Sequence, residues 1–123
     1  MEYGVIGASG RLGTEVVNLF NEKKHNLVFT YDVDGEWKNQ EPDLLIDCSL
    51  PEVFDTSISY AREFNVPFII ATTGLTEDNF SLLKKYSKQF PIVQSYNFSL
   101  GIQVLLKLTE TAKNILTGYD VEI

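Results

Sequence analysis

Tyr3-Gly4-Val5-Ile6-Gly7-Ala8-Ser9-Gly10-Arg11-Leu12-Gly13 lies at the start of the chain, and Asp32 follows nineteen residues after its last glycine. An apolar stretch runs directly into glycines spaced three apart, at 7, 10 and 13, and a helical pattern begins at once. A backbone without side chains can approach a pyrophosphate closely, and the N–H groups of the first helical turn are left pointing at the anion. Asp32 falls where a second strand should end, placed to accept hydrogen bonds from a ribose. The spacing is G-x-x-G-x-x-G rather than the commoner G-x-G-x-x-G, so a glycine-rich turn that merely packs a strand on a helix is the plainer account. A strand before, a helix after and a trailing acid favour nucleotide binding over it.

The 123 residues, 44% hydrophobic and 22% charged, fit one globular domain with a core of its own. No stretch approaches the ~18 apolar residues of a membrane span, and no basic-then-apolar leader opens the sequence, so a soluble, cytoplasmic protein is expected. A lone cysteine, Cys48, in an apolar run fits a reducing compartment. The net charge of −7 argues against nucleic acid or an anionic membrane as partners. An anionic ligand must then be held locally, by helix N-termini and a few cations.

Hydrophobic periodicity predicts strands and helices in alternation. Residues 2–6 read as a strand and 11–23 as a helix with Leu12, Val16, Leu19 and Phe20 on one face. A second strand follows at 27–31, then a loop over 33–42, then a strand buried on both faces at 43–48, containing Leu44-Leu45-Ile46. Ser49 followed three residues later by Glu52 predicts a capping box on a helix over 51–64, with Pro51 in its first turn. A strand at 67–71, a helix at 77–88 capped by Thr76, and a strand at 92–95 come next. Ser99 is placed to cap a long helix reaching about Leu116, with Gly118 to stop it. The expectation is α/β: a Rossmann-like open parallel sheet with helices on both faces.

Ligands of such sheets lie beyond the carboxyl ends of the strands. Those ends are Gly7 to Gly13, Asp32, Asp47 to Pro51, Ala71-Thr72-Thr73-Gly74 and Tyr96-Asn97-Phe98-Ser99, all rich in small or polar residues. Loops are polar in any protein, and Ser and Thr cap helices anyway. Their placement on one rim is what favours a functional crevice.

These four stretches, the glycine loop, Ile46-Asp47-Cys48-Ser49-Leu50-Pro51-Glu52, Ala71-Thr72-Thr73-Gly74 and Tyr96-Asn97-Phe98-Ser99-Leu100-Gly101, resemble the dinucleotide-binding domain of the dihydrodipicolinate reductase family. The resemblance covers essentially the whole chain, including Tyr119-Asp120-Val121-Glu122-Ile123, and its Asn-Phe-Ser-x-Gly segment is the more diagnostic part. Leu12 stands where the family usually has Met, and Ala71 where it usually has Gly; neither change adds charge or much bulk.

The resemblance implies roles. Gly7, Ala8, Ser9, Gly10, Arg11 and Leu12 would wrap the pyrophosphate, with Arg11 a cation near the adenosine side, and Asp32 would take the adenine ribose. Ser49, Ala71, Thr72 and Thr73 would line the nicotinamide side, and Tyr96, Asn97, Phe98 and Ser99 would close over it. It implies a dinucleotide-binding domain over residues 1–118, with 119–123 as the first strand of a second domain. In the family that second domain supplies the His-His pair, the Lys and the Ser-Gly-Thr segment that bind a cyclic dicarboxylate and protonate it. None of these groups is in the sequence, so no catalytic residue is assigned. The only histidine, His25, lies in a Lys-Lys-His-Asn turn expected at the opposite end of the sheet, as a solvated or helix-capping residue.

A metal site lacks a ligand cluster, a Ser-His-Asp hydrolase lacks G-x-S-x-G, and an NTPase loop lacks Gly-Lys-Ser/Thr. The rival that remains is a nucleotide-binding module, or a truncated fragment, that binds NAD(H) and turns nothing over. The expected cofactor is NADH, with NADPH a second option, because Val33-Asp34-Gly35-Glu36 after Asp32 offers no cation to a 2′-phosphate. The resemblance implies reduction of 4-hydroxy-tetrahydrodipicolinate to tetrahydrodipicolinate in lysine and diaminopimelate biosynthesis. The apolar positions Ile102, Leu105, Leu106, Leu108, Ala112, Ile115 and Leu116 are more than one sheet face needs, and suggest a homodimer through an exposed surface.

Overall fold

The alternation of small and large apolar residues in the first strand sets the layering. In the computed structural model, which describes residues 1–120, β1 spans Glu2–Ile6. Tyr3 and Val5 point to one face of the sheet and Ile6 to the other. Gly4 leaves room where a Cβ would crowd Phe29 and Leu45. The sheet has six strands: β1, β2 (Asn26–Asp32), β3 (Gly35–Lys38), β4 (Leu44–Asp47), β5 (Phe68–Ile70) and β6 (Ile92–Gln94). Their order is β3-β2-β1-β4-β5-β6. All neighbours run parallel except β3, which pairs antiparallel with β2.

Helix α1 (Arg11–Glu22) packs Val16, Val17 and Phe20 on the Tyr3–Val5–Ile46 face. A short 3₁₀ turn (Pro51–Val53) leads into α2 (Phe54–Phe64). Helices α2 and α3 (Glu77–Tyr86) cover the opposite face, where Phe29, Leu45, Phe54, Phe68 and Ile70 are fully buried. Strands are added outward from β1 to β3 and then, on the other side of β1, from β4 to β6, so helices fall on both faces and the switch point lies between the ends of β1 and β4. Helix α4 (Leu100–Ile115) buries no residue.

Several expectations are corrected. Residues 33–42 are not all loop: Val33 and Asp34 turn the chain and β3 follows, with Gly35 at φ +105°. The sheet is thus mostly parallel with β3 antiparallel, within the Rossmann-like α/β fold expected. Ser49 does not form a capping box with Glu52, since its Oγ donates to Asp47 Oδ1 at 2.5 Å and the N-cap position falls on Leu50. Thr76 does cap α3, accepting from Asn79 N–H while Asn79 Oδ1 accepts from Thr76 N–H. On α1, Leu12 and Leu19 are half exposed rather than part of the packed face. Ser99 is the N-cap of α4 by position, without a side-chain bond to its first turn. Of the strand expected over 119–123, residues 121–123 lie outside the described residues, and Tyr119 and Asp120 carry no regular structure.

α1 ends in a Schellman motif: His25 N–H donates to Phe20 O and Lys24 N–H to Asn21 O, with Lys24 left-handed at φ +61°. The His25 ring meets Phe20 edge-on at 5.5 Å. His25 thus closes a helix at the amino-terminal end of β2.

Candidate functional site

Glycine geometry builds the cleft. Gly7 leaves β1 at φ +77°, and a Cβ there would come within 2.9 Å of the backbone of Cys48 and Ser49. Gly13 is tighter: a Cβ would lie 2.0 Å from Gly7 O, so only glycine lets α1 seat against the loop. Gly10 differs from both. Its φ is −69°, and the one contact of an added Cβ would be Gly7 O at 3.3 Å. Two of the motif's glycines are therefore required by the fold itself, while the middle one leaves space on the open side.

The first intrahelical bond of α1 runs from Thr14 N–H to Gly10 O. The N–H groups of Arg11, Leu12 and Gly13 are thus free of intrahelical partners at the positive end of the helix dipole. They border a cleft of about 1050 Å³ at the switch point. It is lined by Gly7, Ser9, Gly10, Arg11 and Leu12 from the loop, Asp32 from β2, Ser49 after β4, and Ala71, Thr72 and Thr73 after β5. Ala8 belongs to the same loop but packs into the core on the α1 side.

Hydrogen bonds hold this rim. Asp32 accepts from Ser9 Oγ at 2.7 Å and from Ser9 N–H at 3.3 Å on both oxygens. Fully buried Asp47 accepts through Oδ1 from Ser49 N–H at 2.9 Å, while its Oδ2 has no partner. Thr72 Oγ1 donates to Ser49 O at 3.2 Å, tying the β5 end to the β4 end. Burial, and next the Asp47 carboxylate, push the Cys48 thiol up to about 11, so this cleft-wall cysteine is a poor nucleophile.

Tyr96, Asn97, Phe98 and Ser99 are not brought to the cleft wall. They are exposed, and the turn is held by its own bonds: Asn97 Oδ1 accepts from Ser99 N–H at 2.7 Å, and Ser95 Oγ donates to Asn97 O at 3.0 Å. Conversely, Tyr31, Val33, Gly35, Cys48, Leu50 and Val53 line the cleft without having been singled out. Tyr31, Val33, Cys48 and Leu50 each lie next to a chosen residue, whereas Gly35 opens β3 and Val53 closes the 3₁₀ turn, where the chain folds back toward the rim.

A family model described as "Dihydrodipicolinate reductase, N-terminus" matches residues 1–98. The chain belongs to the dihydrodipicolinate reductase family. The N-terminal domain of this family is a pyridine-nucleotide-binding domain. The 4-hydroxy-tetrahydrodipicolinate reductase of Thermosipho africanus is 37% identical over 123 residues, all of this chain and 57% of the relative. Those of Rickettsia canadensis and Campylobacter fetus are 37% and 36% identical, covering 98% of this chain and 52% and 53% of the relatives. The chain spans about half the length of the curated relatives it matches. Among the described residues no helix is long and apolar enough to cross a membrane, and no group of three or more His, Cys, Asp and Glu could hold a metal.

Proposed function

We propose that the chain is the cofactor-binding half of a reductase acting on 4-hydroxy-tetrahydrodipicolinate, with the nucleotide in the cleft at the switch point. One observation supports this above the others: the free N–H groups of the α1 first turn, the open side of Gly10 and the Asp32 carboxylate border one cavity. The pyrophosphate would lie against Gly7, Gly10, Arg11 and Leu12, and the adenine ribose against Asp32. The nicotinamide would lie toward Ser49, Ala71, Thr72 and Thr73. When bound, the cofactor would supply the hydride; these residues bind and orient it, and Leu12, Leu50 and Val53 shield its apolar surface from water.

NADH is the favoured cofactor in this reading. Asp34 and Glu36 flank the turn after Asp32, and Arg11 is the one cation among the cleft-lining residues. A 2′-phosphate beside these carboxylates is repelled by ~1–3 kcal/mol. Calorimetric titration of the chain with NADH and NADPH tests it, with NADH expected to bind about tenfold tighter or more; equal or tighter NADPH binding would sink the preference.

Residues 1–118 form the nucleotide domain in this proposal, and reduction needs groups from a second domain that begins near residue 119. The 123-residue chain alone is expected to oxidise no NADH when given freshly made substrate, because His25 caps a helix at the end of β2 remote from Asp32 and the cleft. Turnover at the rate of a full-length relative would overturn this assignment. The exposed apolar face of α4 is read as a self-association surface: Leu105, Leu106 and Leu108 are each more than half exposed.

A further inference from the structure

We propose that Ser9 is a positioning residue that sets which dinucleotide the cleft accepts, by holding the Asp32 carboxylate in place. The proposal rests on the cleft being a dinucleotide site. By its place in the glycine loop Ser9 should serve the pyrophosphate, but its bonds run the other way. Its N–H reaches both Asp32 oxygens at 3.3 Å and its Oγ donates to Oδ1 at 2.7 Å. Two neighbouring donors of the loop are also spent internally, Gly7 N–H on Tyr31 O and Gly10 N–H on Gly7 O. An anion is left with the first turn of α1, while Ser9 acts on the acid that faces the ribose.

The consequence follows from the acceptor capacity of a carboxylate. It offers about four lone-pair positions, and Ser9 draws on both oxygens from one side. The remaining capacity is fixed in direction, ready for a ribose hydroxyl, and the group cannot swing aside for a phosphate. Asp34 and Glu36 add negative charge after Asp32, but little else nearby discriminates. Val33 is exposed, Gly35 has no side chain, and Lys38, the next cation along β3, lies between Glu41 and Glu63 at 3.9 Å and over the Phe64 ring. Asp32 is only partly buried, so once released it can turn into solvent.

Titration calorimetry of NADH and NADPH against the wild-type chain, Ser9→Ala, Ser9→Thr, Asp32→Ala and the Ser9→Ala/Asp32→Ala double variant tests this. Circular dichroism confirms that each is folded. Ser9→Ala is expected to weaken NADH about tenfold while NADPH holds or improves, so that the ratio of the two affinities narrows. Ser9→Thr, which keeps the hydroxyl, should restore the wild-type ratio. In the Asp32→Ala background the serine change should leave the ratio unmoved. Equal weakening of both dinucleotides by Ser9→Ala, or a change in ratio that persists without Asp32, overturns the proposal and leaves the cleft assignment standing. A wild-type chain that binds neither dinucleotide overturns both.

Discussion

The glycine loop and the segment that opens α4 share a style of sequence, small and polar residues after a strand and before a helix, yet they end in different environments. Around Gly7 and Gly13 the backbone of β1, α1 and the β4 end approach so closely that a side chain has nowhere to go. Around Asn97 and Ser99 the turn is stabilised by bonds within itself, and the helix that follows buries nothing. The first region is fixed by backbone contacts across the sheet; the second by hydrogen bonds a few residues apart, with the Tyr96 ring 6.0 Å from that of Phe80. A polar rim can thus be built locally and still not join the cleft.

The largest effect that would break this contrast is at Gly13. Gly13→Ala should destabilise the fold by about 3 kcal/mol or more, because the new Cβ meets backbone that cannot yield. Denaturant melts would show it. Gly10→Val should instead leave near-native circular dichroism and remove NADH binding, since its side chain enters the space against the open face of the loop. Matching stability losses for the two variants would mean the glycines are equivalent, and normal NADH affinity in a folded Gly10→Val chain would mean the nucleotide sits elsewhere.

On the α4 side, Leu105→Glu with Leu108→Glu should shift light scattering toward a monomer while NADH affinity changes less than about twofold, because neither residue lines the cleft. Loss of nucleotide binding in that variant would show that α4 belongs to the site after all. A smaller effect is expected at α3, where Thr76→Ala removes one half of a reciprocal cap and should cost about 1 kcal/mol in a thermal melt.

The smallest is a pH effect at Tyr60, whose hydroxyl donates to Glu36 at 2.7 Å. Burial, then that bond and the nearby carboxylates, raise its pKa from 10.0 to about 12. A raised pKa favours the protonated hydroxyl in the folded state, so this contribution is whole below pH 10 and is lost as pH climbs toward 12. Tyr60→Phe should show a shallower stability loss over that interval; an identical slope would remove the bond from the account.

Much of this architecture was legible because its determinants are local. β1 and the start of α1 follow from one apolar run meeting a glycine, and Thr76 with Asn79 marks a helix start. The β2–β3 hairpin carried a signal in Asp34-Gly35, but Pro42 and the polar residues between hid a four-residue edge strand with no buried face to give it periodicity. Ser49 misled for a different reason: the cap pattern was present, yet Asp47, two residues earlier and buried, takes both its hydroxyl and its N–H. No helical or strand period encodes that competition. The exposure of Tyr96 to Ser99 was equally hidden, because sequence places a loop at the rim without saying which way it folds.

The most direct test is an amide NMR titration of the 123-residue chain with NADH. Dinucleotide binding at the switch point predicts the strongest shifts at Gly7 to Leu12, Asp32, Ser49 and Thr72-Thr73, with the backbone of α4 nearly still. Shifts centred on α4, or none at millimolar NADH, would contradict it.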